Sequence, residues 1–365
     1  MKKVLVLPFL TIPSGHHHVA DAMIDQLQLS DPTIQCEKEE IFSYSYGKIE
    51  KIVSNIYLQW IHLFPQVYNW LYQISVYKKV EKPKKFRIYQ LLFLTHMKKL
   101  IKEKRPDCII CTHALPSFML NVLKEQGEVQ IPVVNVYTDF FIHRFWGVNQ
   151  IDLHFVSSIE MKELLLKRGI AAEKLRFTGI PVHRQITLNQ SAINGGNDSL
   201  SIMVTGGNLG VGSLDKLISN LQPAGQITYY VLCGKNKQLL QQLKRRNNSH
   251  IIPLDYIASR KEMNDLYDAM DGILTKPGGV TISECITKRK PTFIYDALPG
   301  QEVINLEQLQ QLGVVINLKS CKDVEQQVLQ FFHHNEKLNN TFSKLDNYHK
   351  QLTNETISDI LKTIM

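Results

Sequence analysis

Short apolar runs alternate along the first half of the chain with longer segments in which apolar residues recur at helical spacing. Residues 3–9 form the first run, and residues 17–29 then carry apolar side chains on one side of a helix. This pattern predicts a buried strand followed by an amphipathic helix. Because similar runs return at residues 107–112, 131–138 and 152–157, we expect a parallel sheet with helices on both faces.

A polar, glycine-bearing stretch at residues 187–199 separates this series from a second one. The second series has strand-like runs at residues 200–205, 228–233, 272–275, 291–295 and 314–317, followed by helical segments from residue 322 onward. A chain of 365 residues is long enough for two domains of ordinary size. The expected fold class is therefore α/β, with two Rossmann-like domains, residues 1–190 and residues 191–365, facing across a cleft. Open sheets of this kind bind ligands at the carboxyl ends of their strands.

Residues 42–77 interrupt the alternation with ten aromatic side chains. Apolar residues including Trp60, Phe64 and Trp70 recur there at helical spacing, and Pro65 can begin a second helix after a bend. The segment is therefore predicted to form an amphipathic helical hairpin. Its aromatic face either lies at a membrane surface or packs against the sheet.

The net charge of +8 is concentrated in residues 78–105, which hold eleven Lys and Arg, among them Lys84, Lys85 and Arg87, against two Glu. The remainder of the chain is almost neutral. A basic segment of this kind suits anionic lipid, nucleic acid or a solvated helix face. Since no nucleic-acid-binding module surrounds it and it adjoins the aromatic segment, we favour an anionic membrane surface and expect no nucleic-acid partner.

The chain shows no sign of a membrane span. Its apolar runs fall far short of the ~20 residues that a span needs, and the N-terminal residues lack a signal-peptide pattern. We therefore expect a cytoplasmic protein that associates peripherally with the inner face of the cell membrane. Hydrophobic residues make up 44% of the chain, which is enough for sizeable cores without a stabilising cofactor.

Two glycine-bearing loops follow predicted strands in the second half. Residues 205–213, with Gly207 and Asn208, precede a predicted helix whose N-terminus and backbone N–H groups can hold a diphosphate, although a plain turn has the same composition. Residues 276–284 repeat the arrangement and place Glu284 one turn into a helix. A carboxylate there can accept hydrogen bonds from two ribose hydroxyls, or it can simply complement the helix dipole.

Several short motifs follow one another in a definite order along the chain. In the second half these are Lys276-Pro277-Gly278-Gly279 with Glu284, and then Pro299-Gly300-Gln301-Glu302. The others are Gly15-His16, Thr138-Asp139-Phe140, Thr178-Gly179-Ile180-Pro181-Val182 and Cys233-Gly234-Lys235-Asn236. Together they resemble the family 28 glycosyltransferases, in the branch that holds the monogalactosyldiacylglycerol synthases and the processive diglucosyldiacylglycerol synthases.

The resemblance implies the twin-Rossmann fold called GT-B and an inverting transfer by direct displacement, without a metal ion or another cofactor. It assigns His16 as catalytic base or oxyanion partner and Asp139 as its helper. Histidine suits this role because its pKa lies near working pH; a helix-capping histidine is the alternative. The sequence also lacks an Asp-x-Asp pair that would hold Mg²⁺. A metal site from His16, His17 and His18 is set aside because adjacent residues at a helix start point in different directions.

The resemblance further implies a donor site built mainly from the second half. Its residues are Gly15, Gly207, Asn208, Lys276, Gly278, Gly279, Glu284, Gln301 and Glu302. On this basis the two glycine-bearing loops approach the diphosphate and Glu284 holds the ribose. Gln301 and Glu302 are expected to contact sugar hydroxyls.

The implied activity is the transfer of a hexose from a UDP-sugar donor to a lipid acceptor, either diacylglycerol or glycosyl-diacylglycerol. Contacts with the membrane or the acceptor are expected from Trp60, Phe64, Trp70, Lys84, Lys85 and Arg87. Three alternatives stay open: a UDP-sugar 2-epimerase, a transferase acting on an undecaprenyl-linked peptidoglycan intermediate, and a non-catalytic protein that senses UDP-sugars. The aromatic segment counts against the epimerase, which needs no lipid acceptor, and the presence of both His16 and Glu284 counts against the sensor.

Overall fold

The chain folds into two compact units. The computed structural model describes residues 2–9, 14–47, 86–188, 199–206, 213–320 and 322–365. One unit comprises Met1–Arg184 with Leu352–Met365, and the other comprises Gln185–Gln351. Each contains a six-stranded sheet in which all neighbouring strands are parallel. The predicted α/β class with two Rossmann-like domains is confirmed.

The sheet of the first unit has the strand order β2-β1-β3-β4-β5-β6. Its strands are β1 (Lys3–Leu7), β2 (Gln35–Lys38), β3 (Cys108–Cys111), β4 (Val133–Val136), β5 (Leu153–Val156) and β6 (Leu175–Phe177). Strands β3, β4 and β5 are buried at every position, which explains their uninterrupted apolar sequences. Strand β2 escaped prediction because it lies at the sheet edge and is polar, with the sequence Gln-Cys-Glu-Lys.

Helices cover this sheet. They are α1 (Gly15–Ser30), α2 (Ile41–Tyr46), α3 (Arg87–Lys104), α4 (Ala114–Glu125) and α5 (Ile159–Lys167). Helix α1 buries Val19, Met23 and Leu27, the apolar side that its sequence predicts. Ser158 precedes helix α5, and its hydroxyl accepts a hydrogen bond from the Met161 N–H and so caps the helix.

The sheet of the second unit has the order β12-β11-β10-β7-β8-β9. Its strands are β7 (Leu200–Thr205), β8 (Ile227–Leu232), β9 (Ile251–Leu254), β10 (Gly272–Thr275), β11 (Thr292–Ile294) and β12 (Ile316–Asn317). The helices are α6 (Ser213–Asn220), α7 (Lys237–Arg246), α8 (Arg260–Ala269), α9 (Gly279–Thr287), α10 (Gln301–Leu312), α11 (Val324–His333) and α12 (Asn335–Gln351). Strands β7 and β10 have the predicted bounds, whereas β9 was not predicted.

Each sheet has a topological switch point, where the chain leaves a central strand on one side and later returns on its other side. In the first unit β1 lies between β2 and β3, and in the second unit β7 lies between β8 and β10. A crevice forms at the carboxyl ends of the strands at such points, and ligands bind there in open α/β sheets. The loops after β1 and β3, and those after β7 and β10, are therefore the places to look for a site.

The last residues of the chain belong to the first unit. The Thr353 N–H donates to the Phe177 carbonyl at 2.8 Å, Glu355 pairs with Arg176 at 3.1 Å, and helix α13 (Ile357–Lys362) packs against α1. The predicted division at residue 190 differs from this one, because it gave the whole C-terminal part to the second domain. Helical periodicity identifies a buried face on α13 but not which sheet covers it.

Only the first part of the predicted aromatic hairpin is described. In α2, Phe42 and Tyr46 pack on Phe93 of α3, with ring centroids 5.6 and 5.7 Å apart, so these aromatics contribute to packing. Trp60, Phe64, Trp70, Lys84 and Lys85 lie outside the described residues. None of the described helices combines the length and the apolar composition that crossing a membrane requires.

Candidate functional site

His16 lies at the switch point of the first unit, in the first turn of α1. Its Nδ1 atom is 3.1 Å from the main-chain oxygen of Thr112 and 2.9 Å from the Thr138 hydroxyl. Thr112 follows β3 directly, and Thr138 lies just beyond β4. The loops after three adjacent parallel strands thus converge on one imidazole. Gly15, the other predicted residue here, is the first residue of α1.

The hydrogen bonds determine which nitrogen of His16 carries the proton. A carbonyl oxygen can only accept, so Nδ1 is the protonated nitrogen and Nε2 keeps its lone pair. Burial lowers the pKa of His16 to about 4, with a smaller contribution from the neighbouring His17, so the ring is neutral at pH 7. Neither hydrogen bond caps a helix. The arrangement leaves Nε2 able to take a proton from a bound hydroxyl group.

Asp139, the predicted helper of His16, is the residue after Thr138. Its main-chain oxygen accepts a hydrogen bond from the Ser157 hydroxyl at 2.8 Å, which fixes the backbone at the end of β4. The hydrogen bonds that the structure gives to His16 go to Thr112 and Thr138, and sequence reasoning missed both. Their position immediately beyond buried strands was the available signal.

Two further histidines, His113 and His143, interact with His16. The His113 ring meets the His16 ring edge to face at a centroid distance of 4.6 Å, and it stacks on Phe9 at 4.7 Å. Burial lowers the pKa of His113 well below its usual range, and that of His143 to about 3. Across the part of the chain that the structure describes, no three His, Cys, Asp or Glu side chains are grouped as metal ligands.

Glu284 occupies a buried position in α9 of the second unit, with 8% of its surface exposed. Its Oε2 accepts a hydrogen bond from the Tyr267 hydroxyl at 2.9 Å, and Arg260 lies 4.0 Å from its Oε1. Burial raises the pKa of Glu284, and the Tyr267 hydrogen bond partly opposes that shift. Because the carboxylate is beyond the first turn and held by α8, the helix dipole alone does not account for it. Tyr267 and Arg260 were not predicted.

Helix α8, which carries Tyr267 and Arg260, is anchored at its C-terminal end by two lysines. The fully buried side chain of Lys288 pairs with Asp268 at 2.6 Å. Lys290 donates to the main-chain oxygens of Asp268 and Met270, carbonyls that the end of a helix leaves unpaired. The position of Tyr267 beside Glu284 therefore rests on partly buried polar contacts.

Lys276, Gly278 and Gly279 form the turn between β10 and α9. The Gly278 N–H donates to the Lys276 carbonyl at 2.9 Å, which closes the turn. Lys276 is nearly buried, with 5% of its surface exposed. A Cβ added to Gly278 would meet nothing within 4 Å, so the backbone here borders open space. The turn can therefore admit a ligand close to its main chain.

Gln301 and Glu302 begin α10, in the loop region after β11. Gly300 precedes them with φ of 99°, a conformation that favours glycine. One carboxylate oxygen of Glu302 accepts a hydrogen bond from the Leu298 N–H at 2.7 Å, so Glu302 also stabilises its own loop. The other predicted diphosphate residues, Gly207 and Asn208, lie outside the described residues.

Comparison with known proteins relates the chain to glycosyltransferases. The model of the monogalactosyldiacylglycerol (MGDG) synthase family matches residues 16–182. The chain is 41% identical to the Bacillus subtilis (strain 168) protein named uncharacterized glycosyltransferase YkoN, over 100% of this chain and 98% of that protein. It is 28% identical to the processive diacylglycerol beta-glucosyltransferase of Bacillus cereus (strain G9842), over 88% of this chain and 83% of that protein.

Among solved structures, Acinetobacter baumannii MurG superposes with a TM-score of 0.64 at 14% identity, over 100% of this chain and 99% of that chain. At such low identity the superposition supports the fold alone. The full-length match at 41% identity carries the assignment, and the ordered motifs from Gly15-His16 to Gln301-Glu302 are consistent with it. The chain belongs to the family 28 glycosyltransferases, in the branch of the monogalactosyldiacylglycerol synthases and processive diacylglycerol glucosyltransferases.

Proposed function

We propose that the protein transfers a hexose from a UDP-sugar to diacylglycerol or glycosyl-diacylglycerol at an anionic membrane surface, with inversion at the anomeric carbon and without a metal ion. The name of the Bacillus cereus relative, which aligns with 88% of this chain, supports the lipid acceptor. The observation that carries the proposal is the neutral His16 ring, held through Nδ1 with Nε2 left as a proton acceptor.

In the proposed reaction, the acceptor hydroxyl gives its proton to His16 Nε2 while its oxygen attacks the anomeric carbon. The bond from that carbon to the diphosphate oxygen breaks, and UDP leaves with the electron pair. A single displacement of this kind inverts the configuration. General-base catalysis by a positioned histidine contributes roughly 10²–10⁴-fold to the rate. Asp139, one residue beyond Thr138, is proposed to assist by favouring the protonated form of His16 that develops.

The donor is proposed to bind to the second unit. The Lys276 ammonium and the N–H groups of Gly278 and Gly279 supply positive charge for the diphosphate, helped by the N-terminus of α9. Glu284 accepts hydrogen bonds from the ribose hydroxyls, principally through Oε1 because Oε2 already has the Tyr267 hydroxyl as a partner. Gln301 and Glu302 are assigned to the sugar hydroxyls, and Gly207 and Asn208 to the diphosphate.

The membrane contact is proposed to include the start of α3. Ile88 and Leu91 are 73% and 85% exposed, with Tyr89 and Leu92 partly exposed beside them and Arg87 preceding them. A contiguous group of exposed large apolar side chains is unusual on a protein surface and is characteristic of interaction sites. Its position inside the basic segment favours a surface of anionic lipid, which attracts nearby Lys and Arg by about 1 kcal/mol each.

The decisive experiment incubates the purified protein with anionic liposomes that contain diacylglycerol and with a panel of radiolabelled UDP-sugars. We expect label from one donor to enter the lipid phase and thereby identify the sugar. His16→Ala should abolish this transfer but bind UDP like the parent, while His333→Ala, at an exposed histidine of the second unit, should retain full activity. Label that remains aqueous with every donor would contradict the proposed activity.

The donor site has a separate test by titration calorimetry with UDP. Glu284→Ala should weaken UDP binding by about 10-fold or more, because hydrogen bonds to a charged group contribute ~1.5–3 kcal/mol each. UDP affinity equal to that of the parent protein would exclude Glu284 as the ribose-binding residue.

A further inference from the structure

His113 lies beside His16 with the opposite tautomer. Its Nδ1 accepts a hydrogen bond from the Leu115 N–H at 3.1 Å, since His113 is the N-cap residue of α4. A neutral imidazole whose Nδ1 accepts must carry its proton on Nε2. His16 thus presents a lone pair at Nε2, whereas His113 presents an N–H group.

The two rings are held in place. Their planes are 87° apart at a centroid distance of 4.6 Å, and Phe9 stacks on His113 with an interplanar angle of 22°. The bond to Leu115 prevents the His113 ring from turning over without losing the cap. Neither Nε2 atom has a hydrogen-bond partner among the described residues, and both rings are half-buried at the carboxyl ends of β1 and β3.

Resting on the proposed function, we propose that His113 is a second catalytic residue, whose Nε2–H donates a hydrogen bond to the acceptor hydroxyl oxygen while His16 Nε2 takes that hydroxyl's proton. A hydroxyl group has one hydrogen and two lone pairs. The hydrogen points to His16, one lone pair accepts from His113, and the other attacks the anomeric carbon.

Each group has one role in this step. The acceptor O–H bond breaks, its proton moves to His16 Nε2, and the oxygen forms a bond to the anomeric carbon as UDP departs with the electron pair. His113 keeps its proton throughout. Its contribution is to fix the position and direction of the oxygen, and orientation of reacting groups is a large component of enzymatic rate acceleration. Since burial lowers the pKa of His113, a neutral donor rather than a cation faces the nucleophile.

Two substitutions separate this role from the capping role of the same side chain. His113→Asn places a short polar side chain at the N-cap, where asparagine is a favoured residue. It removes the N–H donor at the position of Nε2. His113→Gln carries an amide N–H at about the distance of Nε2 and caps the helix poorly. The catalytic role therefore predicts that glutamine supports more transfer than asparagine, whereas a merely structural role predicts the reverse.

The experiment measures transfer from the active UDP-sugar to diacylglycerol in anionic vesicles, together with UDP affinity and melting temperature. For His113→Asn we expect kcat/KM for diacylglycerol to fall about 10-fold or more, with UDP affinity and melting temperature close to those of the parent. For His113→Gln we expect the higher activity in spite of a lower melting temperature.

Two results would overturn the assignment. Full activity of His113→Asn, or activities that simply follow the melting temperatures, would leave His113 as a helix cap only. If the parent protein itself transfers no label to diacylglycerol, the proposed function fails and this role fails with it. An active parent with an unaffected asparagine variant contradicts the role of His113 alone.

Discussion

The Thr138 hydroxyl lies 2.9 Å from His16 Nδ1 and forms a side-chain hydrogen bond with this imidazole. The second partner of Nδ1 is a main-chain oxygen, that of Thr112. A substitution can remove the first contact but not the second. The two threonines therefore make a matched pair for measuring how much the orientation of the histidine contributes to the reaction.

Thr138→Val should reduce kcat about 10-fold, because it removes one hydrogen bond of ~1 kcal/mol and loosens the ring that carries the proton acceptor. UDP affinity should not change. The measurement is steady-state transfer to diacylglycerol in vesicles, with calorimetry for UDP.

Thr112→Val is the control for this prediction. The Thr112 side chain is fully buried, and its hydroxyl has no hydrogen-bond partner among the described residues. Its bond to His16 comes from the carbonyl, which valine retains. We expect parental activity and unchanged or slightly higher stability; equal loss of activity in both variants would refute a specific role for the Thr138 hydroxyl.

Tyr267→Phe should alter the behaviour of Glu284. The Tyr267 hydrogen bond favours the carboxylate form, so its removal should raise the pKa of Glu284 further above its ordinary range. As pH falls, UDP affinity should therefore decline at a higher pH in the variant than in the parent. Calorimetric titrations with UDP between pH 5 and 8 measure this.

Tyr229→Phe provides the matched comparison in the same unit. Tyr229 is also fully buried, but its hydroxyl lacks a hydrogen-bond partner within the described part of the chain. Removing that hydroxyl should leave UDP binding and its pH dependence unchanged. If Tyr267→Phe gave the same pH profile as the parent, the Tyr267–Glu284 contact would have no function in donor binding.

The first unit should lose stability as pH falls. His154 is fully buried, and burial lowers its pKa to about 3. Below about pH 6.5 the unfolded chain binds a proton at this residue that the folded unit does not. The free energy of unfolding therefore decreases as the pH falls from 6.5 toward the folded-state pKa. At pH 5 the contribution of His154 to this decrease is about 2 kcal/mol.

Urea unfolding at pH 7.5, 6 and 5 tests whether the stability of the protein falls with pH. Tryptophan fluorescence is a suitable signal because Trp146 is buried in the first unit. His154→Gln should reduce the number of protons taken up on unfolding by about one. The substitution also changes the contact with the Tyr137 hydroxyl at 3.0 Å. A variant with the parental pH dependence would contradict the contribution assigned to His154.

The exposed start of α3 should contribute to membrane binding. Ile88→Gln combined with Leu91→Gln should lower partitioning onto anionic vesicles about 10-fold or more, since burying one such side chain contributes ~1.5–3 kcal/mol. Co-sedimentation with vesicles measures the effect. Leu29→Gln, at a leucine of α1 that is 60% exposed, is the control. Equal partitioning of all three proteins would exclude this surface from membrane contact.

Much of the fold follows from local pattern. Buried parallel strands have continuous apolar sequences, and the bounds of β7 and β10 coincide with such runs. Strands without that signature escaped prediction: β2 is polar at the sheet edge, and β6 has only three residues. The position of Glu284 near the start of the helix after a glycine-bearing turn also made it a candidate from the residues, since ligands approach such sheets there. His16 became a candidate through the resemblance to the family 28 glycosyltransferases.

The contacts that hold those candidates come from distant parts of the chain. The partners of His16 lie 96 and 122 residues away along the chain, and Tyr267 comes from a different helix than Glu284. The return of Leu352–Met365 to the first unit is likewise a long-range contact. Periodicity and motif spacing describe neighbours within a strand, a turn or a helix. Hydrogen-bond partners, tautomers and pKa values depend on groups that the folded sheet brings together. The sequence therefore supplied His16 and Glu284 as candidates, whereas His113, Thr138 and Tyr267 entered the site through the fold.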